Sequence, residues 1–351
     1  MKYIIFLVLC INSFSQDIQA LFATAQKQVV LIMAEDPEHK STIRSNRELS
    51  YGSGFIIRAD GLIATNNHVI RAAKKEFKDA IFKVGDYTGT RFNAKLVFEY
   101  SLKDIAFLKI EDKIFKGFPS SRVLDIGDSS KISVGDPVFF VGSPGGYFNS
   151  FHSGVVSGLN RASTAEGNVI YENMIQSNLN YAPGVSGSPM LNIEGEIIGI
   201  NTLLISNPLV GGQIDLAIPS NILKRCLHDY DTYKESKLSI LGIEVKLMTE
   251  LYARKYGYAN RFGVLVTHAH AGLPGKESGL RRHDRIVAVN GRTVYNSKIL
   301  RGYLQEYPIG TKIKLKVYRK NRVIYMDIKL DDLDNFKPPK RFRKSRYYNF
   351  L

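Results

Sequence analysis

Ser186 lies between glycines in the stretch GVSGSP, residues 184–189, a composition that favours a tight turn with its hydroxyl exposed. A serine attacks a carbonyl only with help: a base to take its proton, a carboxylate to orient that base, and donors for the oxyanion that forms. Candidates for each occur elsewhere in the chain. His68, in ATNNHVI, ends an apolar run just before a helical turn, and Asp104, in SLKDIAFLKI, stands at the entrance to a strongly apolar strand. A carboxylate there is expected to be partly buried and in need of a partner. His68 would be that partner, with Asp104 fixing its tautomer and stabilising the imidazolium. The backbone N–H groups of Gly184 and Ser186 would point into one oxyanion hole, the glycine allowing backbone geometries that a side chain forbids. Singly, each signal is weak, since G-x-S-G occurs in many tight turns and an Asp before a strand is an ordinary turn residue.

The elements that must position these residues read as short apolar runs punctuated by Gly, Asn, Asp and Pro: 54–57, 62–65, 105–110, 137–141, 154–158 and 197–200. That spacing predicts an antiparallel barrel or sandwich rather than alternating βαβ units. Ahead of them, 18–28 reads as a short helix leading into a strand over 29–33 and a polar loop over 34–49. After them, 220–230 reads as a helix capped by Ser220, and the charged stretch 229–237 as an interdomain linker. A second unit follows, and the last twenty residues form a basic tail.

At 351 residues the chain exceeds what one core usually supports, and its 44% hydrophobic and 23% charged composition is that of folded domains. Lys2, the apolar run 3–11 and the small and polar residues that follow predict an export signal cleaved after Ser15. The apolar run is shorter than the roughly 20 residues needed to span a bilayer, so no stable membrane span is expected. Of two cysteines, Cys10 would leave with the signal, and Cys226 is read as a packed small hydrophobe without a disulfide. The net charge of +15 fits either a solvated basic surface or attraction to an anionic one, and no motif points to nucleic acid. His268, His270 and His283 are read as solvated loop histidines; no metal and no other cofactor is expected.

The order His68, Asp104, Ser186, spaced 36 and then 82 residues apart, resembles the chymotrypsin-fold arrangement and differs from the subtilisin and α/β-hydrolase orders. From about Gly52 to Leu227 the chain resembles the HtrA/Deg protease family segment by segment, in GSGFII, DGLIATNNHVI, LKDIAFLKI, IGDSSKISVGDPVFFVGSPGG, SGVVSGLNR, YENMIQSNLNYAPGVSGSPMLNIEGEIIGINT and DLAIPSNILKR. Residues 239–330 resemble a PDZ domain of the bacterial protease type, in LGIEV, GVLVTHAHAGLPGKESGLRRHDRIVAVNGRTV, NSKILRGYL and TKIKLKVYRKNRVIYMDIKL.

The resemblance implies a mainly β chain: a two-barrel chymotrypsin/trypsin-like protease domain followed by a small α+β PDZ domain. The expected organisation is signal 1–15, N-terminal helix, strand and loop 16–50, protease 51–228, linker 229–237, PDZ 238–331 and tail 332–351. It further implies an ATP-independent serine endopeptidase acting on misfolded or exposed extracytoplasmic proteins, periplasmic or extracellular, and homo-oligomeric as a trimer. Ile240, Leu241, Gly242 and Ile243 would form the loop that receives a peptide C-terminus. The specificity pocket would be walled by Asn178 to Ala182, Tyr181 included, and by Thr202, Leu203 and Leu204. No acidic residue falls in those walls, which argues for a small or medium aliphatic residue on the acyl side of the cut bond. The family motif is GNSGGP, so Val185 and Ser188 are departures expected to hinder the oxyanion loop. A non-hydrolytic peptide-binding or holdase protein of the same fold is the alternative that this altered loop leaves open.

Overall fold

The computed structural model describes residues 18–36, 49–164, 170–207, 212–258, 261–320 and 322–336. The signal 1–15 with Cys10, most of the polar loop and residues 337–351 lie outside them. The chain divides into two compact units, one ending at Leu223 and the other beginning at Lys224.

A helix over 18–25, α1, precedes the first six strands. These are β1 (Val29–Glu35), β2 (Leu49–Arg58), β3 (Leu62–Asn66), β4 (Ile81–Gly85), β5 (Arg91–Tyr100) and β6 (Ile105–Ile110), closed as a barrel in the order β1-β2-β3-β6-β5-β4. Helix α2 (Asn67–Glu76) leaves directly from the end of β3 and buries Val69, Ile70 and Ala73. They join Val30, Ile32, Ile56, Ile63, Ala106 and Leu108 in one apolar core. A second barrel follows: β7 (Pro137–Gly142), β8 (Ser150–Thr164), β9 (Ile170–Ser177), β10 (Pro189–Leu191), β11 (Ile197–Asn207) and β12 (Gly212–Pro219), closed as β10-β11-β12-β9-β8-β7. Its core gathers Val138, Phe140, Val156, Ile175, Met190, Ile198 and Ala217. Every run read from the sequence as a strand is a strand, and closure of both sheets resolves barrel against sandwich.

Helix α3 (Ser220–Thr232) runs past the expected end. Ser220 does not cap it: its hydroxyl donates to the carbonyl of Gly127 at 2.8 Å, and Ser129 Oγ accepts the N–H of Asn221 at 3.2 Å. The cap thus comes from a residue distant in sequence, which no local pattern announces.

The stretch read as a linker, 229–237, begins inside α3 and is exposed over 231–235, but both of its ends are anchored. Asp229 is wholly buried and receives Arg225 Nε at 2.9 and 3.0 Å, and the N–H of Lys237 at 3.1 Å. The same guanidinium donates to Ser239 Oγ, the Tyr307 carbonyl and the Lys237 carbonyl. Charges four residues apart meet on one helix face, and here they pair in the interior instead of facing water.

The second unit carries β13 (Ser239–Ile240), β14 (Ile243–Leu247), α4 (Glu250–Tyr256), β15 (Val264–Ala269), α5 (Pro274–Glu277), β16 (Arg285–Val289), β17 (Arg292–Thr293), α6 (Ser297–Leu304), β18 (Lys312–Arg319), β19 (Arg322–Lys329) and β20 (Asp331–Asp332). Its main sheet runs β14-β15-β16-β18-β19, and Ile299, Leu300, Tyr303 and Leu304 of α6 share its core. The expected tail is folded through Phe336: β20 pairs with β13, and Phe336 packs with Ile240 and Leu273. His270 is likewise no solvated histidine. Its ring packs edge-on to Phe336, its Nε2 lies 3.2 Å from Glu244, and burial together with neighbouring His268 holds its pKa below the usual value against the pull of Glu244. Cys226 is buried and, among the described residues, forms no disulfide.

Because Arg225 has no water to fall back on, removing its buried partner should be costly. Asp229→Ala is expected to destabilise the unit from Lys224 onward by about 3–5 kcal/mol. Thermal unfolding that leaves this unit's transition unmoved would contradict the arrangement.

Candidate active site

The His68 and Asp104 segments are locked together by their backbones. Asp104 ends a 3₁₀ turn, Ser101–Lys103, in a left-handed conformation at φ 56°, which Asp tolerates better than most residues. Its carbonyl accepts the N–H of Asn67 at 3.1 Å and Asn66 Nδ2 at 3.0 Å, while Asn67 Nδ2 donates to Ser101 Oγ at 3.1 Å. The two asparagines before His68 therefore tie the end of β3 to the start of β6. On that frame His68 Nδ1 lies 2.7 Å from Asp104 Oδ2, and the His68 N–H donates to Oδ1 at 2.7 Å.

Two further hydroxyls reach the same oxygen. Thr202 Oγ1 donates to Asp104 Oδ2 at 2.7 Å and Tyr171 OH at 2.8 Å. Thr202 is an extra residue in β11, where the register against β12 shifts between Asn201 and Leu203, and such a bulge re-aims a side chain. Burial pushes the Asp104 carboxyl upward, but the hydrogen bond and charge of His68 and the two hydroxyls outweigh it, so the group is held below the ordinary carboxylate range. Asp104 is 1% exposed, whereas the His68 side chain is 39% exposed.

Ser186 comes from the second barrel, in the turn between β9 and β10. Ser53 of β2 braces this turn: its N–H donates to the Ser186 carbonyl at 2.9 Å, and its hydroxyl donates to the Gly184 carbonyl at 2.8 Å. Gly184 and Gly187 both have positive φ, 98° and 87°. A Cβ on either would lie 2.2 Å from a backbone oxygen, Ser143 for the first and Ser53 for the second, so no other residue fits. The Pro183 carbonyl accepts the Gly145 N–H at 2.7 Å, fixing the peptide plane that carries the Gly184 N–H. Among the described residues, the N–H groups of Gly184 and Ser186 have no acceptor. The Ser186 hydroxyl is 3.4 Å from the Thr202 carbonyl and is not hydrogen-bonded to the His68 ring. Such looseness is common before a substrate is bound.

Val185 and Ser188 do not strain this turn. Val185 is 1% exposed and belongs to the second-barrel core with Phe140, Ile175, Tyr181 and Ile198. Ser188 Oγ accepts Asn201 Nδ2 at 2.9 Å, and Tyr181 OH donates to Asn201 Oδ1. The departures are therefore absorbed by packing and by a buried polar chain, a correction to the expectation that they hinder the loop.

Of the residues assigned to a specificity pocket, Thr202 and Tyr181 spend their hydroxyls on Asp104 and Asn201. Asn178 is exposed, and its Oδ1 accepts the Val155 N–H at 2.7 Å. Leu203 is half-buried and Leu204 is 36% exposed. The sequence reading missed Asp215, buried behind this wall, where its carboxylate accepts the Asn180 N–H at 2.6 Å and Gln213 Nε2 at 2.7 Å. In the second unit, Ile240, Leu241 and Ile243 are buried, and Gly242 turns the chain at φ 72°. The Leu241 and Gly242 carbonyls accept the N–H groups of Gly275 and His270, while their own N–H groups have no acceptor among the described residues.

Residues 52–200 match the family model of the trypsin-like peptidase domain, and residues 239–330 that of the PDZ domain. The fold and the matches define a chain in which a trypsin-like peptidase domain is joined to a C-terminal PDZ domain. The chain is similar to proteins named as serine endoproteases. A probable periplasmic serine endoprotease, DegP-like, of Rickettsia prowazekii is 33% identical over 82% of this chain and 54% of its own length. The periplasmic pH-dependent serine endoprotease DegQ of Escherichia coli is 33% identical over 80% of this chain and 59% of its own. This chain thus spans little more than half the length of these curated relatives. Among solved structures, the HtrA-type protease AlgW with tripeptide is 25% identical with a TM-score of 0.63, covering 91% of this chain and 97% of that one. The chain belongs to the HtrA/Deg family of trypsin-like proteases with a C-terminal PDZ domain.

Because Val185 lies in an apolar core, Val185→Asn, which restores the family's usual residue, should destabilise by about 1–3 kcal/mol for want of a buried partner. Combined with Ser188→Gly it should leave turnover no higher than in the natural chain. An unchanged melting temperature with a raised kcat would overturn this account of the turn.

Proposed function

We propose that the chain is an ATP-independent serine endopeptidase that cleaves misfolded or exposed proteins outside the cytoplasm, in the periplasm or beyond the cell surface. The observation that carries the reading is the buried Asp104 carboxylate held 2.7 Å from His68 Nδ1, beside a serine whose turn leaves two N–H groups unpaired. In the mechanism, His68 Nε2 takes the proton of Ser186 Oγ as that oxygen attacks the scissile carbonyl. Asp104 keeps Nδ1 protonated and stabilises the imidazolium. The developing oxyanion is received by the N–H groups of Gly184 and Ser186, an arrangement in which one lost donor costs about 2.7–4 kcal/mol. His68 then protonates the leaving amine, and a water repeats the sequence on the acyl-enzyme.

The walls formed by residues 178–182 and Thr202 to Leu204 take a small or medium aliphatic side chain, since Asp215 behind them is already satisfied by two donors. The free N–H groups of Leu241 and Gly242 hold the carboxylate of a peptide C-terminus, which lies along the open edge of β14. The chain acts as a homo-oligomer, a trimer by family likeness. Its relatives named as periplasmic support an exported location, and no helix among the described residues is long and apolar enough to cross a membrane.

Purified protein should hydrolyse unfolded casein, and a fluorophosphonate should label it at Ser186. Ser186→Ala should abolish both without changing the melting temperature, and Asp104→Asn should lower kcat by about 10⁴. Casein cleavage by Ser186→Ala at the natural rate would refute the assignment.

A further inference from the structure

Tyr171 and Glu172, neighbours on β9, grip Asp104 and Lys103, neighbours on the loop before β6. Tyr171 OH donates to Asp104 Oδ2 at 2.8 Å, and Lys103 Nζ lies 3.4 Å from Glu172 Oε2 with side-chain exposures of 10% and 0%. The first pair of residues belongs to the second barrel and the second pair to the first barrel. The base His68 stands on the first barrel and Ser186 on the second, so a contact that sets one barrel against the other at Asp104 also sets the base against the nucleophile.

The phenol is suited to a fixed role. Tyr171 is 4% exposed, and burial and the neighbouring Asp104 charge drive its pKa far above the usual value, against smaller opposing effects of Thr202 and Arg71. The phenol therefore stays protonated and donates its hydrogen bond to Asp104. Asp104 Oδ2 takes donors from three sides, His68 Nδ1, Thr202 Oγ1 and Tyr171 OH, so removing one hydroxyl leaves the carboxylate able to swing. It also concentrates negative charge on the oxygen that faces the imidazole.

We propose that Tyr171 is a positioning residue for peptide-bond hydrolysis: its phenol, supplied by the second barrel, fixes the Asp104 carboxylate in the one orientation that aligns His68 with Ser186, with the Lys103–Glu172 pair holding the two barrels in that register. This rests on the reading of Ser186 as nucleophile. Tyr171 touches no reacting atom and acts only through Asp104.

The test is Tyr171→Phe, which removes the hydroxyl and keeps the ring, in the full chain. With a peptide substrate, kcat should fall about tenfold, a loss of about 1.4 kcal/mol in transition-state stabilisation, while KM stays within about twofold. The acid limb of the kcat/KM profile should move to higher pH, because a carboxylate with one donor fewer attracts the imidazolium more strongly. The other charges near the site, Lys103, Glu172 and Arg71, are the same in both proteins, so they do not account for the movement. Adding Tyr171→Phe to Asp104→Asn should bring no further loss, since the carboxylate through which it acts is gone. Unchanged kcat and pH profile, or an equal tenfold loss in the Asp104→Asn background, would overturn the proposal. If Tyr171→Phe does not fold, 3-fluorotyrosine at position 171 keeps the hydroxyl as a stronger donor and should move the acid limb to lower pH; an unmoved limb is then the refuting result. Failure of the underlying reading looks different, because the natural chain itself would neither hydrolyse substrate nor take the fluorophosphonate.

Discussion

The buried carboxylate of Asp104 is the point on which the site depends. An ionised group that is 1% exposed persists only where its lone pairs are occupied, and here four donors occupy them: the N–H and ring of His68, and the hydroxyls of Thr202 and Tyr171. Two of the four come from the first barrel and two from the second. Satisfying one charge therefore enforces the meeting of two separately closed sheets. The left-handed backbone at Asp104 belongs to the same constraint, because it turns the side chain inward while its carbonyl still anchors Asn66 and Asn67.

Ser53 answers from the other direction. It is buried on β2, and through its N–H and hydroxyl it holds the carbonyls of Ser186 and Gly184. The turn of the proposed nucleophile is thereby fixed by a residue of the opposite barrel, just as the carboxylate beside the proposed base is. Gly187 has a matching role, since Ser53 O and Thr65 Oγ1 approach so closely that only hydrogen fits at its Cα. Ser186 and Asp104 sit on irregular chain, but each is pinned across the interface by groups on rigid strands, which is how precise geometry survives there.

Much of this was legible in the sequence, and what was hidden follows a pattern. Short apolar runs announced β3 and β6 almost to the residue because their side chains are buried on both faces, and the glycines at 184 and 187 announced a turn because steric demand leaves a mark. Whether the strands closed into barrels was not legible, since closure depends on register between strands far apart in the chain. Tyr171 lies 67 residues from Asp104, and nothing local marks its hydroxyl as a partner. Thr202 could be placed near the site but not aimed, because the bulge that turns it is a property of β11 and β12 together. Arg225 and Asp229 stood at helical spacing, yet a charged stretch read singly looks solvated; only the carbonyls of Lys237 and Tyr307 turn it into an interior clasp. Val185 misled in the opposite sense, since a missing polar side chain reads as a defect until the apolar wall around it is seen.

Closure of both six-stranded sheets has a consequence for the company this protein is proposed to keep. Unfolded chains expose strand-forming segments that add to any unpaired β edge and so recruit folded proteins into aggregates. A closed barrel offers no such edge, and the twelve strands described in the peptidase unit all lie in closed barrels. In the main sheet of the second unit, β14 and β19 end the strand order and the two-residue β17 pairs only with β16, so open edges remain there among the described residues. The fold thereby leaves unpaired backbone in the second unit, where an added strand can be a ligand, and withholds it from the barrels that carry the proposed active site.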